Sequence, residues 1–265
     1  MAHGAVETVG TPGELWSVAA LATDAWGARP EVAAPLVLAA TAYAVGRWRL
    51  RRRGGSLPPT RGAAYAGGLL SLLVALSTPL DRLAHASFAA HMAQHLFLIV
   101  GAAPLLLLAD PFPVLVWALP RRLRLATSRL LRPGRPLRRL GRWLSLMSVA
   151  WLAHVVTVWL WHLPGPYDAA VADRLVHDLE HVLLFGTAVL FWWPILEPAP
   201  RLRARSTDGA RVGYLVLAAL QGGLLGLLLT LSPEAWYRSY SDTADQSLGG
   251  LVMWGVGGAV DMLAV

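Results

Sequence analysis

Ala86-Ser87-Phe88-Ala89-Ala90-His91-Met92-Ala93-Gln94-His95-Leu96-Phe97-Leu98-Ile99-Val100-Gly101-Ala102-Ala103-Pro104-Leu105-Leu106-Leu107-Leu108 contains no Asp, Glu, Lys or Arg. A run of this length and apolarity can cross a bilayer as one helix. Comparable runs lie on both sides of it, approximately at 31–48, 62–80, 143–161, 175–195, 212–231 and 246–265. Spans of roughly 20 residues each joined by short connections account for the chain. The expected fold is all-α: a polytopic membrane helix bundle with seven transmembrane helices over 31–265. Residues 1–30 are expected to form an extracytoplasmic segment without the basic start of a signal peptide.

Composition agrees with lipid as the main solvent. The 265 residues are 55% hydrophobic and 15% charged, against roughly 25% charged in soluble domains. Cysteine is absent, which excludes disulfides, thiolate zinc or iron-sulfur sites and a cysteine nucleophile. All 23 basic residues are Arg, which excludes a lysine Schiff base. A net charge of +7 raises nucleic acid as a partner, but the placement of the arginines points to membrane orientation instead.

The connections after the first, third and fifth expected spans hold nineteen of the arginines, and the opposite side holds four: Arg29, Arg82, Arg174 and Arg238. Positive charge is retained on the cytoplasmic side, so the N-terminus is expected outside and the C-terminus in the cytoplasm. Trp48, Trp117, Trp143, Trp192 and Trp193 are expected near one interface and Trp159, Trp161 and Trp236 near the other, with Trp151 and Trp254 as packing residues. The basic connection at 110–142 opens on an apolar piece, 111–120, that is too short to span and is expected in the cytoplasmic interface. Its arginines read as a solvated, orientation-setting loop, with anionic lipid or a partner as the other use.

Orientation assigns each histidine a height. His85, His91, His95, His162, His177 and His181 fall in or above the outer half, and His154 lies eight residues deeper than His162, roughly 12 Å at helical rise. His3 is in the N-terminal segment. His91 and His95 are four apart, as are His177 and His181, so each pair shares a helix face and can offer two imidazoles to one ion. His162 and the carboxylates of Glu180 and Asp245 are candidates to join them, and Met92 and Met253 add thioethers. His154 reads as a hydrogen-bonded packing residue, His85 as a solvated loop residue, and Tyr167 and Asp168 as holding the turn between the fourth and fifth spans. One such pair arises easily by chance; two converging on His162 point to a metal, because ionisable groups inside a membrane are costly. Imidazole and thioether without thiolate suit copper in either oxidation state, and zinc suits the imidazoles nearly as well. Two other chemistries use the same residues. His177-Asp178-Leu179-Glu180-His181 fits the His-x-x-Glu-His pattern of inverted zinc peptidases, with Glu180 as general base, and the histidines can hold at most one haem.

These residues resemble the seven-span CtaG family of bacterial cytochrome c oxidase assembly proteins. The resemblance is carried by His91-Met92-Ala93-Gln94-His95, by Trp161-His162-Leu163-Pro164 leading to Tyr167-Asp168-Ala169-Ala170, and by His177-Asp178-Leu179-Glu180-His181. It continues through Phe191-Trp192-Trp193-Pro194 and Asp245-Gln246-Ser247-Leu248-Gly249-Gly250-Leu251-Val252-Met253-Trp254. One departure is Arg238, where the family tends to have Pro after Tyr237. The resemblance implies a non-enzymatic copper-handling factor in the bacterial plasma membrane, with cytochrome c oxidase subunits and the lipid bilayer as partners. Copper transport or resistance, and an intramembrane zinc peptidase, are the competing readings; the oligomeric state is not legible.

Overall fold

The computed structural model describes residues 29–77 and 79–263, and within them every regular element is helical. The expected segment at 1–30, with His3, falls almost wholly outside the described residues. Two helices open the chain, α1 (Pro30–Arg51) and α2 (Pro59–Ser77), followed by a short α3 (Pro79–Ala84). The run quoted first is continuous: α4 (Phe88–Leu96), a π-helical turn (Phe97–Ala102) and α5 (Ala103–Leu108). Then come α6 (Pro111–Ala118), α7 (Arg121–Leu130), α8 (Pro136–Leu144), α9 (Met147–Trp161), α10 (Pro164–Ala172), α11 (Arg174–Leu196), α12 (Asp208–Leu231) and α13 (Thr243–Leu263).

Among the described residues, three helical stretches are long and apolar enough to cross a membrane: Phe88–Leu108, Arg174–Leu196 and Asp208–Leu231. A fourth is formed if α8 and α9, bent by 67° at their junction, act as one span. The other expected stretches are helices too, of 22, 19 and 21 residues. Terminal arginines in α1, glycines in α2, and glycines with Asp245 and Asp261 in α13 dilute their mean hydropathy.

The π-helical turn has a local cause. In that register the Ala103 N–H reaches the Leu98 carbonyl, five residues back. The next acceptor is Ile99, and Pro104 has no N–H to offer it. Trp192 on α11 supplies the missing proton, its Nε1 donating to the Ile99 carbonyl at 3.0 Å. Trp192 is 2% exposed: it is a core residue that satisfies the backbone of this helical run. Trp254 packs over Gly223 and Gly226, as expected, with its ring 53% exposed.

The connections sort to two ends. At one end Arg61 pairs with Asp110 at 3.2 Å, Asp110 accepts from the Ala199 N–H, and Arg138 and Arg203 reach the carbonyls of Arg201 and Arg142. The three Arg-rich connections therefore meet one another. The basic stretch at 110–142 is not an irregular loop: α6 packs against α1, while α7 and α8 are amphipathic helices with no buried residue. At the other end Arg29 ties α3 to α11, holding Asp81 at 3.3 Å and Asp178 at 2.8 Å. Glu31 is shared by Arg29 and Arg174.

Candidate metal centre

Three helices and one loop bring the histidines together at the Arg29 end. Ser87 and Asp245 start α4. The Asp245 carboxylate accepts from the Ser87 hydroxyl at 2.8 Å and from the N–H groups of Phe88 and Ala89, and Ser87 Oγ accepts from the Ala90 N–H. Three otherwise orphaned N–H groups are satisfied. Asp245 thus fixes the helix that carries His91 and His95. We expect Asp245→Ala to cost about 1–2 kcal/mol and Asp245→Asn clearly less, read as the thermal unfolding midpoint of the purified chain. On α11, Asp173 caps the helix through the N–H groups of Leu175 and Val176, and aims His177, Glu180 and His181 inward.

Ligand atoms of His91, His177, Glu180 and His181 all lie within 4.8 Å of one another, and all four residues are buried. Glu180, fully enclosed, places Oε2 3.6 Å from His91 Nε2 and Oε1 3.6 Å from His95 Nε2. Neither carboxylate oxygen has a hydrogen-bond partner, nor do His91 Nε2 or either ring nitrogen of His95 and His181. Each buried polar atom left in this state costs about 1–3 kcal/mol.

The tautomer of His91 follows from its partners. Its Nδ1 lies 3.3 Å from the Tyr240 hydroxyl, which itself donates to the Ala84 carbonyl. A carbonyl only accepts, so the hydroxyl proton is committed there and His91 Nδ1 carries its own proton. Burial raises the Tyr240 phenol above its ordinary range, so that proton stays in place. In the neutral ring, His91 Nε2 then turns a lone pair toward the Glu180 carboxylate. Such a contact is satisfied by a shared proton or by a cation held between the two groups. Three imidazoles and one carboxylate suit zinc or copper, and the Tyr240 hydroxyl orienting His91 is the outer support such sites use.

The remaining candidates fall nearby in different roles. His95 contacts His181, ring centroids 5.5 Å apart, but stands outside the tight group of four. His162 turns to Met92, its Nε2 3.4 Å from Sδ. Met253 lines the same cavity as Met92, His95 and His162. His154 donates to or accepts from Thr187 Oγ1 at 3.2 Å and packs on Phe191. His85 is exposed, with its ring 5.4 Å from that of His177.

Asp168 does not hold the turn next to it in sequence. It accepts from the N–H groups of Arg238 and Ser239 and from the Ser239 hydroxyl, tying α10 to the connection between α12 and α13. The Arg238 N–H is one a proline could not offer. Tyr167 is buried among Phe88, Tyr237 and His91, its ring centroid 5.0 Å from that of His91. Tyr240 was outside the sequence-derived set; its only signal was the aromatic cluster Trp236-Tyr237-Arg238-Ser239-Tyr240.

A protein-family model described as cytochrome c oxidase caa3 assembly factor matches residues 41–265. The chain is 29% identical over 241 residues to uncharacterized proteins of Mycobacterium bovis and Mycobacterium tuberculosis, covering 82% of this chain and 35% of each relative. It is 29% identical over 246 residues to one of Mycobacterium leprae, covering 84% of this chain and 36% of that protein. The chain thus spans about a third of the length of these curated relatives. No solved structure matches it.

Proposed function

The chain belongs to the cytochrome c oxidase caa3 assembly factor family, and from that premise we propose that it binds copper inside the membrane and hands it to the oxidase. The observation that supports this most is the donor set of His91, His177, Glu180 and His181, gathered within 4.8 Å and without hydrogen-bond partners for both Glu180 oxygens, His91 Nε2 and the ring nitrogens of His181. The copper is cargo: the chain's part is to present imidazoles and one carboxylate, keep water away and release the ion, with no bond made or broken in a substrate. In this reading seven helices span the bacterial plasma membrane, with the N-terminus outside and the C-terminus in the cytoplasm. Meeting of the Arg-rich connections at the end opposite the histidines supports that orientation through retention of positive charge. The donor set then sits in the outer leaflet.

Metal analysis of the purified full chain tests the site. Wild type is expected to retain copper or zinc through dialysis, and His91→Ala/His95→Ala and His177→Ala/His181→Ala are each expected to lose the divalent ion held by this group. In cells lacking the chain, oxidase should assemble short of copper, with wild type restoring the metal and His177→Ala/His181→Ala failing to do so. Full metal retention by both double variants would overturn the shared site.

A further inference from the structure

We propose that Met92, His95, His162 and Met253 form a second metal station, softer than the group around Glu180 and suited to Cu(I). The first observation is the pairing of His162 with Met92. His162 Nδ1 lies 2.7 Å from the Val158 carbonyl, which can only accept, so the proton is on Nδ1. The other nitrogen, Nε2, then carries a lone pair, and it points at Met92 Sδ 3.4 Å away. A thioether sulfur has lone pairs and no proton to give. Two electron-pair donors face each other in a buried place, which is the arrangement a soft cation converts from a mismatch into two bonds.

The second observation concerns His95. Both of its ring nitrogens are buried without a hydrogen-bond partner, and it is not among the four residues whose ligand atoms cluster tightly. Its ring centroid is 6.2 Å from that of His162 and 5.5 Å from that of His181. His95 therefore stands between the two groups, with Nε2 3.6 Å from Glu180 Oε1 on one side. On the other side Met92, His95, His162 and Met253 line one cavity of about 80 Å³. Two imidazoles and one or two thioethers without a carboxylate make a neutral donor set, and thioethers select Cu(I) over divalent ions. The group around Glu180 carries an anion and harder donors, so it favours a divalent ion more than the second station does.

The order of transfer rests on the copper reading of the first site; the second station itself does not. Movement of Cu(I) from one station to the other through His95 is ligand exchange, with no electron gained or lost. The same cavity continues past His154 and Gln221 to the half-buried Asp261, so the second station lies on the deeper side of the first.

Titration of the full chain in detergent separates the two stations. Under reducing conditions with a competing chromophoric chelator, wild type is expected to take up two Cu(I), and Met92→Leu/His162→Ala one. Both are expected to bind one Zn(II), which also reports that the variant is folded. Met→Leu conserves volume, so Met92→Leu/Met253→Leu is the milder probe. It should lower the affinity for the second Cu(I) at least tenfold and remove sulfur scattering from the copper X-ray absorption spectrum. Unchanged Cu(I) stoichiometry in Met92→Leu/His162→Ala, or no sulfur scattering in wild type, would overturn the second station. Unchanged Zn(II) binding in His177→Ala/His181→Ala would instead overturn the first site while the sulfur signal persisted.

Discussion

Glu180→Gln is expected to strip divalent metal from the chain, lowering affinity by roughly 100-fold or more, at the upper end of what outer-sphere changes around metal sites cost and beyond it for a ligand. The amide keeps the shape of the side chain but removes the only anion in the group of four. Inside the membrane a cation held by neutral imidazoles alone keeps its full charge in a poor solvent for charge. Glu180 is fully buried, and its two oxygens face His91 and His95 at 3.6 Å each. The same variant separates the assembly reading from the inverted-peptidase reading of His177-Asp178-Leu179-Glu180-His181. A general base is dispensable for holding zinc, so a peptidase carrying Gln would keep its metal and lose hydrolysis. Metal-to-protein ratios of wild type and Glu180→Gln, measured side by side after dialysis, decide between them. Full retention by Glu180→Gln would remove Glu180 from the ligands.

How much of this was legible in the sequence depended on whether an interaction is periodic. The four-residue spacing of His91 with His95 and of His177 with His181 puts each pair on one face, and helical geometry makes that inference secure without knowledge of neighbours. Among the described residues the seven apolar stretches are mostly helical. Rotation of one helix against another leaves no trace in spacing. That rotation is what turns His162 toward Met92, and what brings Tyr240, 149 residues away in sequence, to His91. The sequence reading therefore held one pool of histidines, of which the structure gathers His91, His177 and His181 tightly around Glu180.

Residue type misled where one side chain serves a distant backbone. Asp245 and Asp168 looked like a ligand and a turn residue; each instead accepts from backbone N–H groups of another segment, 157 and 70 residues away. A carboxylate caps and coordinates with the same oxygens, so composition cannot tell the roles apart. Trp192 carried no sign of its partner, because the need it meets was written elsewhere, in Pro104. The arginines at 110–142 were read as an orientation signal, and their amphipathic helices were hidden by prolines at positions that start helices rather than break them, Pro111 and Pro136.

Gly250→Val is expected to be the most damaging single change outside the donor set, because the atoms in its way cannot move aside. A Cβ at Gly250 would stand 2.6 Å from the Gly226 carbonyl oxygen, 2.9 Å from the Thr230 nitrogen and 2.5 Å from Thr230 Oγ1. The first two are backbone of α12, so α12 and α13 would have to separate along a contact that small residues keep close. Overpacking costs about 1–3 kcal/mol where side chains can yield, and this position should fall at or above the top of that range. Gly255 on the same helix is the internal control: nothing lies within 4 Å of its Cβ position, so Gly255→Ala should be neutral or add up to about 1 kcal/mol through helix propensity. Thermal midpoints of the two variants in one detergent check the contrast, and equal midpoints would refute it. The adjacent Gly249 extends the consequence to the metal, since its Cβ would meet the Phe88 ring at 2.3 Å and Met92 Cγ at 3.2 Å. Pressure from α13 is thus transmitted to the face of α4 that carries Met92. Gly249→Ala should accordingly weaken Cu(I) uptake at Met92 and His162 more than Zn(II) binding, three of whose four donors lie on α11.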